Sequence, residues 1–148
     1  MTKAPPPSSA DHAFHLGDPA LDLEHQGQLD LLLDIEAEIR ANAKREKLAA
    51  SLDRLIEFTS LHFMSEQLLM RQQAYPGLPD HEAEHDELMA QMRDFQAGIA
   101  AGDRVLTATD LAALHDWVLR HIHTQDAAFA DYVAREKQAG PEAGQGAA

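Results

Sequence analysis

Five histidines and two carboxylates carry the chemistry available to this chain: His25, His62 with Glu66, His81 with His85, and His121 with Asp126, one group on each of four successive segments of helical period. Imidazole nitrogen and carboxylate oxygen suit iron, zinc, copper or manganese. Seven donors exceed the four of a tetrahedral zinc and the six of one octahedral ion, whereas two ions sharing the carboxylates as bridges use them all. The grouping predicts a two-metal site. The chain has no cysteine, so any metal sits on nitrogen and oxygen, and disulfides, iron–sulfur clusters and thiol catalysis are excluded.

Spacing separates this cluster from ordinary core histidines. A lone histidine on an apolar stripe is usually a hydrogen-bonded core residue. His62 with Glu66 and His81 with His85 are i, i+4 pairs, each projecting from one helix face about one turn apart. Burying so many imidazoles and two carboxylates without a cation costs several kcal/mol, which a bound metal offsets. His121 and Asp126 stand five apart, about 140° around an ideal helix. Either Asp126 reaches in from the edge of the stripe, or a local widening of π type brings it round.

The elements that must position these groups are helices. Asp18 and Pro19 make an N-cap and first turn for a helix over about 19–41, with His25, Leu29, Leu32, Ile35 and Ile39 facing inward. The second, about 46–73, has a seam at Leu48, Leu52, Leu55, Thr59, His62, Glu66, Leu69 and Gln73. After the break from Tyr75 to Pro79, Asp80 caps a third helix to about 98, with His81, His85, Leu88, Met92, Phe95 and Ile99 on its stripe. Gly98 and Gly102 close it, and Thr107 or Thr109 starts a fourth to about 138, faced by Leu111, Leu114, Val118, His121, Gln125, Phe129 and Tyr132. The expected fold is all-α, an antiparallel up-down-up-down four-helix bundle. Residues 1–18, with Pro5 to Pro7 and Gly17, read as an extended arm, 19–138 as the bundle, and 139–148 as a Gly/Ala tail.

Composition narrows the class further. At 148 residues the chain fits one domain with a real core. Its formal charge of −13, from 25 acidic and 12 basic residues, argues against nucleic acid, which needs clustered Lys and Arg. No run of about 18 apolar residues occurs and the N-terminus lacks a secretory layout, so no membrane partner and a cytoplasmic location are expected.

Four stretches then resemble the hemerythrin family, specifically its small bacterial members: Asp22-Leu23-Glu24-His25, His62-Phe63-Met64-Ser65-Glu66, His81-Glu82-Ala83-Glu84-His85, and the run from Trp117 to Asp126 that carries His121. The resemblance spans about residues 14 to 135, with all seven ligand types in family order and spacing. It implies a non-haem di-iron centre with an oxo or hydroxo bridge that binds dioxygen reversibly for storage, delivery or sensing, and no enzymatic role as its main one. It also implies that His81, His85 and His121 hold one iron, that His25 and His62 hold the other, and that Glu66 and Asp126 bridge the two. One position on the second iron is then left open for dioxygen. Phe14 stands where many bacterial members carry tryptophan, and Gln67 follows Glu66 where a second acidic residue is common; neither change removes a ligand. His12 and His15 lie in the arm, and His115 and His123 fall off the inner stripe, so all four are left out of the site.

Donor balance favours carrying oxygen over consuming it. Five neutral imidazoles with only two carboxylates donate less negative charge than the Glu-rich sites of ferritin-like proteins and so favour the diferrous state. Phe63, Trp117, Leu29, Val118 and Ile122 can supply a dry wall, although each also reads as ordinary core. Three rival readings stand beside this one. His81-Glu82-Ala83-Glu84-His85 is a literal H-E-x-x-H zinc-protease signature, but Leu88 and Gln91 occupy the positions where the extended form needs glycine and histidine. A di-iron oxidase, peroxidase or nitric oxide enzyme on the same scaffold would want a proton donor near the open iron, and the only tyrosines are Tyr75 and Tyr132. A sensor would need a surface read by a partner; Asp30, Asp34 and Glu38 form an acidic stripe that reads first as a solvated face.

Overall fold

The computed structural model describes Leu16 and residues 18–139. Most of the expected arm (1–18) and tail (139–148), with His12, Phe14 and His15, lies outside the described residues. The chain forms α1 (Pro19–Arg40), α2 (Arg45–Gln72), α3 (Leu78–Ala101) and α4 (Ala108–His121), then a π-helical turn, Ile122–Asp126, and α5 (Ala127–Ala139). Backbone angles stay helical through the π turn, so α4, the turn and α5 are one rod. The result is four helical rods and no strand among the described residues.

Local chemistry sets the boundaries. Asp18 accepts hydrogen bonds from the backbone N–H groups of Ala20 and Leu21 at 3.0 and 3.2 Å, capping α1 ahead of Pro19. Leu16, just upstream, donates its N–H to Asp22 Oδ1 at 2.8 Å and packs on the core. Gly102 ends α3 in the left-handed region at φ 76°, where any Cβ is strained. Thr107 opens α4 with a capping box: it accepts from the Asp110 N–H at 3.2 Å, and Asp110 accepts from the Thr107 N–H at 3.0 Å. Thr107→Ala should lower unfolding free energy by about 1 kcal/mol, read as a shifted urea midpoint at constant slope; an unchanged midpoint would show the cap to be redundant.

One boundary departs from the sequence reading. Asp80 does not cap α3, which starts at Leu78 with Gly77 at the cap position and no side-chain cap bond. Pro79 explains the shift, because it sits in the first turn, where a missing N–H costs nothing.

Cross-helix bonds fix the antiparallel order. Late α1 meets early α2 through Ser51, which donates to Glu38 at 2.9 Å. Early α2 meets late α3 through Gln96, which donates to Asp53 at 2.8 Å, while late α2 meets early α3 through Arg71 and Glu82 at 2.7 Å. The last rod runs against α1, bringing Asp126 Oδ2 within 2.9 Å of His25 Nε2. The acidic stripe of α1 is not uniformly free: Asp30 accepts from Gln26 at 2.7 Å and half-buried Glu38 from Ser51.

The core is one continuous cluster that includes Leu32, Ile35, Leu52, Leu55, Leu88, Met92, Leu111 and Leu114. Each of the seven donors continues its helix's stripe beyond this cluster, towards the same end of the bundle. One turn further out, Leu21, Met70 and Phe129 are buried but outside the continuous core. Polar groups are therefore held between two apolar layers. Among the described residues, no helix is long and apolar enough to cross a membrane.

Candidate metal centre

All seven expected donors are buried, at 0–4% exposure. They form two overlapping groups, Glu66 with His81, His85, His121 and Asp126, and His25 with His62, Glu66 and Asp126, and within each group the donor atoms lie within 4.8 Å of one another. The two carboxylates are common to both. Their oxygens divide between the groups: Glu66 Oε1 is 2.6 Å from His81 Nε2 and 3.1 Å from His85 Nε2, while Oε2 is 3.3 Å from His62 Nε2 and 3.5 Å from His25 Nε2. Asp126 repeats the pattern, with Oδ1 2.9 Å from His81 Nε2 and 3.2 Å from His121 Nε2, and Oδ2 2.9 Å from His25 Nε2.

The π turn is what delivers Asp126. One extra residue in the turn carries it to the inner face, where it is 3% exposed, while Gln125, expected on the stripe, is only half-buried. Phe129 then resumes the apolar face. Thr124 Oγ1 donates to the Arg120 carbonyl at 2.7 Å, giving that oxygen a side-chain partner where the backbone ladder changes pitch.

The cluster fits a cation on its own chemistry. His25 Nε2, Glu66 Oε2 and both Asp126 oxygens are buried without a hydrogen-bond partner, although other donors lie within about 3 Å. Close contact without hydrogen-bond geometry is the arrangement of lone pairs directed at shared points rather than at each other. The electrostatics agree. Burial opposes charge on His62, but Glu24 and Glu66 outweigh it and push the imidazole up to about 10. Burial likewise opposes His81, and Asp126 and Glu66 raise it to about 9; His25 is raised in the same way by Asp126 and Glu66. His85 is lowered, by burial that Glu66 does not offset. Burial raises both carboxylates, yet the surrounding histidines win and hold Glu66 well below the usual range and Asp126 below it. A pocket that retains protons this firmly is short of positive charge, and a divalent ion supplies it without protonating any ligand.

Aromatic rings wall the cluster. Phe63 stacks on His85 at 3.6 Å and 4° between planes, and half-buried Trp117 stacks on His121 at 4.9 Å and 13°. Leu29, Val118 and Ile122 are buried. His115 is half-buried and His123 exposed, and neither joins the cluster. Tyr75 and Tyr132 are used at the bundle end: Tyr75 packs on Phe129 and Tyr132, and Tyr132 donates to the Gln73 carbonyl at 2.8 Å. A cavity of about 470 Å³ between Leu21, Leu69, Phe129 and Val133 reaches Asp126 from this end.

The H-E-x-x-H stretch is not arranged as a protease site. His81 and His85 turn inward, but Glu82 is bonded to Arg71 at 2.7 Å on the outer face, so it does not stand beside them as a base. The sequence reading missed the partners of the outward Nδ1 atoms. His121 Nδ1 lies 2.7 Å from Glu84 Oε2, His85 Nδ1 lies 2.8 Å from Gln67 Oε1, and His62 Nδ1 faces Glu24 at 3.7 Å. The available signal was their polarity beside the candidate positions, but each faces a histidine on another helix, which spacing along one helix does not reveal.

The family model for the hemerythrin HHE cation binding domain matches residues 16–133. A bacteriohemerythrin from Ralstonia nicotianae is 32% identical over 136 residues, 92% of this chain and 93% of its own length. A myohemerythrin from Sipunculus nudus is 31% identical over 122 residues, 82% of this chain and 90% of its own. A crystal structure of wild-type hemerythrin superposes with a TM-score of 0.77 at 25% identity, over 87% of this chain and 97% of that one.

Proposed function

The chain belongs to the hemerythrin family, and from that premise we propose that it holds two iron ions and binds dioxygen reversibly for storage, delivery or sensing. His81, His85 and His121 would hold one iron, His25 and His62 the other, and Glu66 and Asp126 would be shared between the two sites, the arrangement that an oxo- or hydroxo-bridged di-iron centre requires. The observation that carries this assignment is the division of each carboxylate's two oxygens between a three-histidine and a two-histidine group. When bound, such a pair of ferrous ions supplies the two electrons that reversible dioxygen binding requires.

The chain's own residues do the rest. The two-histidine group contributes one imidazole fewer, so the chain would fill one donor position fewer on a metal there. Leu21, Met70 and Phe129 on one side of the donors, and the continuous core on the other, give the cluster apolar surroundings, interrupted where the cavity reaches Asp126. Stacking by Phe63 and Trp117 fixes the planes of His85 and His121. An oxidase or peroxidase needs a group that hands protons to reduced oxygen; the Tyr132 hydroxyl is spent on the Gln73 carbonyl, and Tyr75 packs its ring on Phe129 and Tyr132 at the bundle end. That supports carriage over turnover.

Metal analysis with an anaerobic optical cycle tests the proposal: the protein is reduced, exposed to air, then stripped of oxygen under argon. Two irons per chain and an absorption band that appears in air and disappears under argon are the expected result. Immediate, permanent oxidation would move the assignment to redox sensing or oxidase chemistry, and a single zinc would overturn it.

A further inference from the structure

The outward faces of the donor histidines are treated unequally. His121 Nδ1 meets a carboxylate, Glu84, at 2.7 Å, whereas His85 Nδ1 meets an amide, Gln67 Oε1, at 2.8 Å. The orientation of that amide follows from its other end: Gln67 Nε2 lies 3.4 Å from Glu82 Oε1, which only accepts, so the nitrogen faces Glu82 and the oxygen faces His85. His85 therefore donates its Nδ1 proton outward and keeps its Nε2 lone pair for the centre. Arg71 pairs with Glu82 at 2.7 Å, so the carboxylate one bond further out is already neutralised. A file of hydrogen bonds links an exposed guanidinium to a buried histidine, with Glu82 accepting from both Arg71 and Gln67, and a neutral group stands at the step that touches His85.

We infer that Gln67 is a positioning residue that fixes the His85 ring and, by being neutral, holds the reduction potential of the metal centre above the value a carboxylate there would impose. Glu84 acts in the opposite direction through His121. The physical basis is the strength of the acceptor. A carboxylate draws the Nδ1 proton towards itself and leaves Nε2 a stronger donor, which favours the more oxidised metal; an amide draws it less. A site that must release oxygen in the diferrous form benefits from the weaker acceptor. This inference rests on the di-iron reading above.

The charge-conserving double variant Q67E/E82Q tests it. The swap moves one carboxylate from the outer step to the step that touches His85, leaves net charge unchanged and keeps a hydrogen bond between positions 67 and 82 with its direction reversed. Iron-loaded wild type and variant are compared by anaerobic spectroelectrochemistry, with iron content measured on the same samples. The expected result is a full iron complement with the oxidised-to-reduced ratio at a fixed potential raised at least tenfold, about 59 mV for a one-electron step. Glu84→Gln should move the midpoint the other way. Full iron content with an unmoved midpoint in Q67E/E82Q overturns the inference, and if that variant does not fold, an unmoved midpoint in Glu84→Gln overturns it instead. Wild type that takes up no iron pair defeats the di-iron reading first, and the inference with it.

Discussion

Glu66→Ala should reduce bound iron from two per chain to one or none and abolish the optical band that cycles with oxygen, while most helix content survives. Glu66 lies within 3.5 Å of four of the five histidines, His25, His62, His81 and His85. Its loss removes a donor and a negative charge from each metal at once. The three-histidine group with Asp126 still offers four donors, enough for one ion, whereas His25, His62 and Asp126 offer three. Truncation also strips buried imidazoles of a charged partner, a disruption that typically costs about 3–5 kcal/mol, so the variant should melt well below wild type even without metal. Folding persists because the continuous core around Leu52, Leu55, Leu88 and Leu111 is untouched. Iron analysis, visible absorption and circular dichroism on one sample decide the matter; two irons and an unaltered band would remove Glu66 from the bridging role.

The second large effect concerns pH and metal removal together. In metal-free protein, His62 keeps its proton up to about 10 and His81 up to about 9, against an ordinary 6.5. Folded values raised in this way stabilise fully below 6.5, and the contribution is lost as pH rises through the folded values. His25 has the same sign, and His85, lowered by burial, has the opposite one. Glu66 and Asp126 are held below their ordinary values of 4.5 and 3.8, so their stabilisation is present above that range and fades as pH falls below it. Stability of the metal-free chain should therefore peak between roughly pH 4.5 and 6.5 and fall by several kcal/mol towards pH 10. Iron loading reverses the trend, because metal competes with protons for the same nitrogens and binds more tightly as they leave. Thermal melts of chelator-treated and iron-loaded protein at pH 5.5, 7.5 and 9.5 should show the gap in Tm widening with pH. A metal-free Tm that stays level or climbs from pH 5.5 to 9.5 would contradict the charge balance described for the centre.

The four rods and the buried faces that carry the candidate histidines were legible because both follow from repeats along single helices. His25, His62, His81, His85 and His121 prolong apolar stripes, and Asp18 with Pro19 and Gly102 mark ends by local backbone chemistry. Legibility failed where distance along the chain or a neighbouring helix decides. The α2 seam was expected to continue through Leu69 and Gln73, but Met70 is buried, Leu69 half-buried and Gln73 exposed. An α-helix of 28 residues drifts by about 20° per heptad from a 3.5-residue repeat, so its inner stripe needs an extra step of four by that point. Asp126 was ambiguous for a related reason, since whether a helix widens depends on what the bundle gains by it. The pairing of Gln28 with Thr59 at 3.2 Å in the core, like that of Gln67 with His85, joins residues on different helices and leaves no periodic trace.

The π turn between α4 and α5 also sets a rule for anyone building such a centre from scratch. Ideal straight helices that copy the four ligand segments letter for letter would present six donors correctly and turn the seventh away by more than a third of a revolution. A designer has two remedies: encode the widened turn, with a threonine placed like Thr124 to satisfy a carbonyl, or delete one residue between histidine and aspartate so that an unbroken helix presents both. The native chain has taken the first course, and its fourth rod is therefore one residue longer than the regular helix that would display the same two ligands.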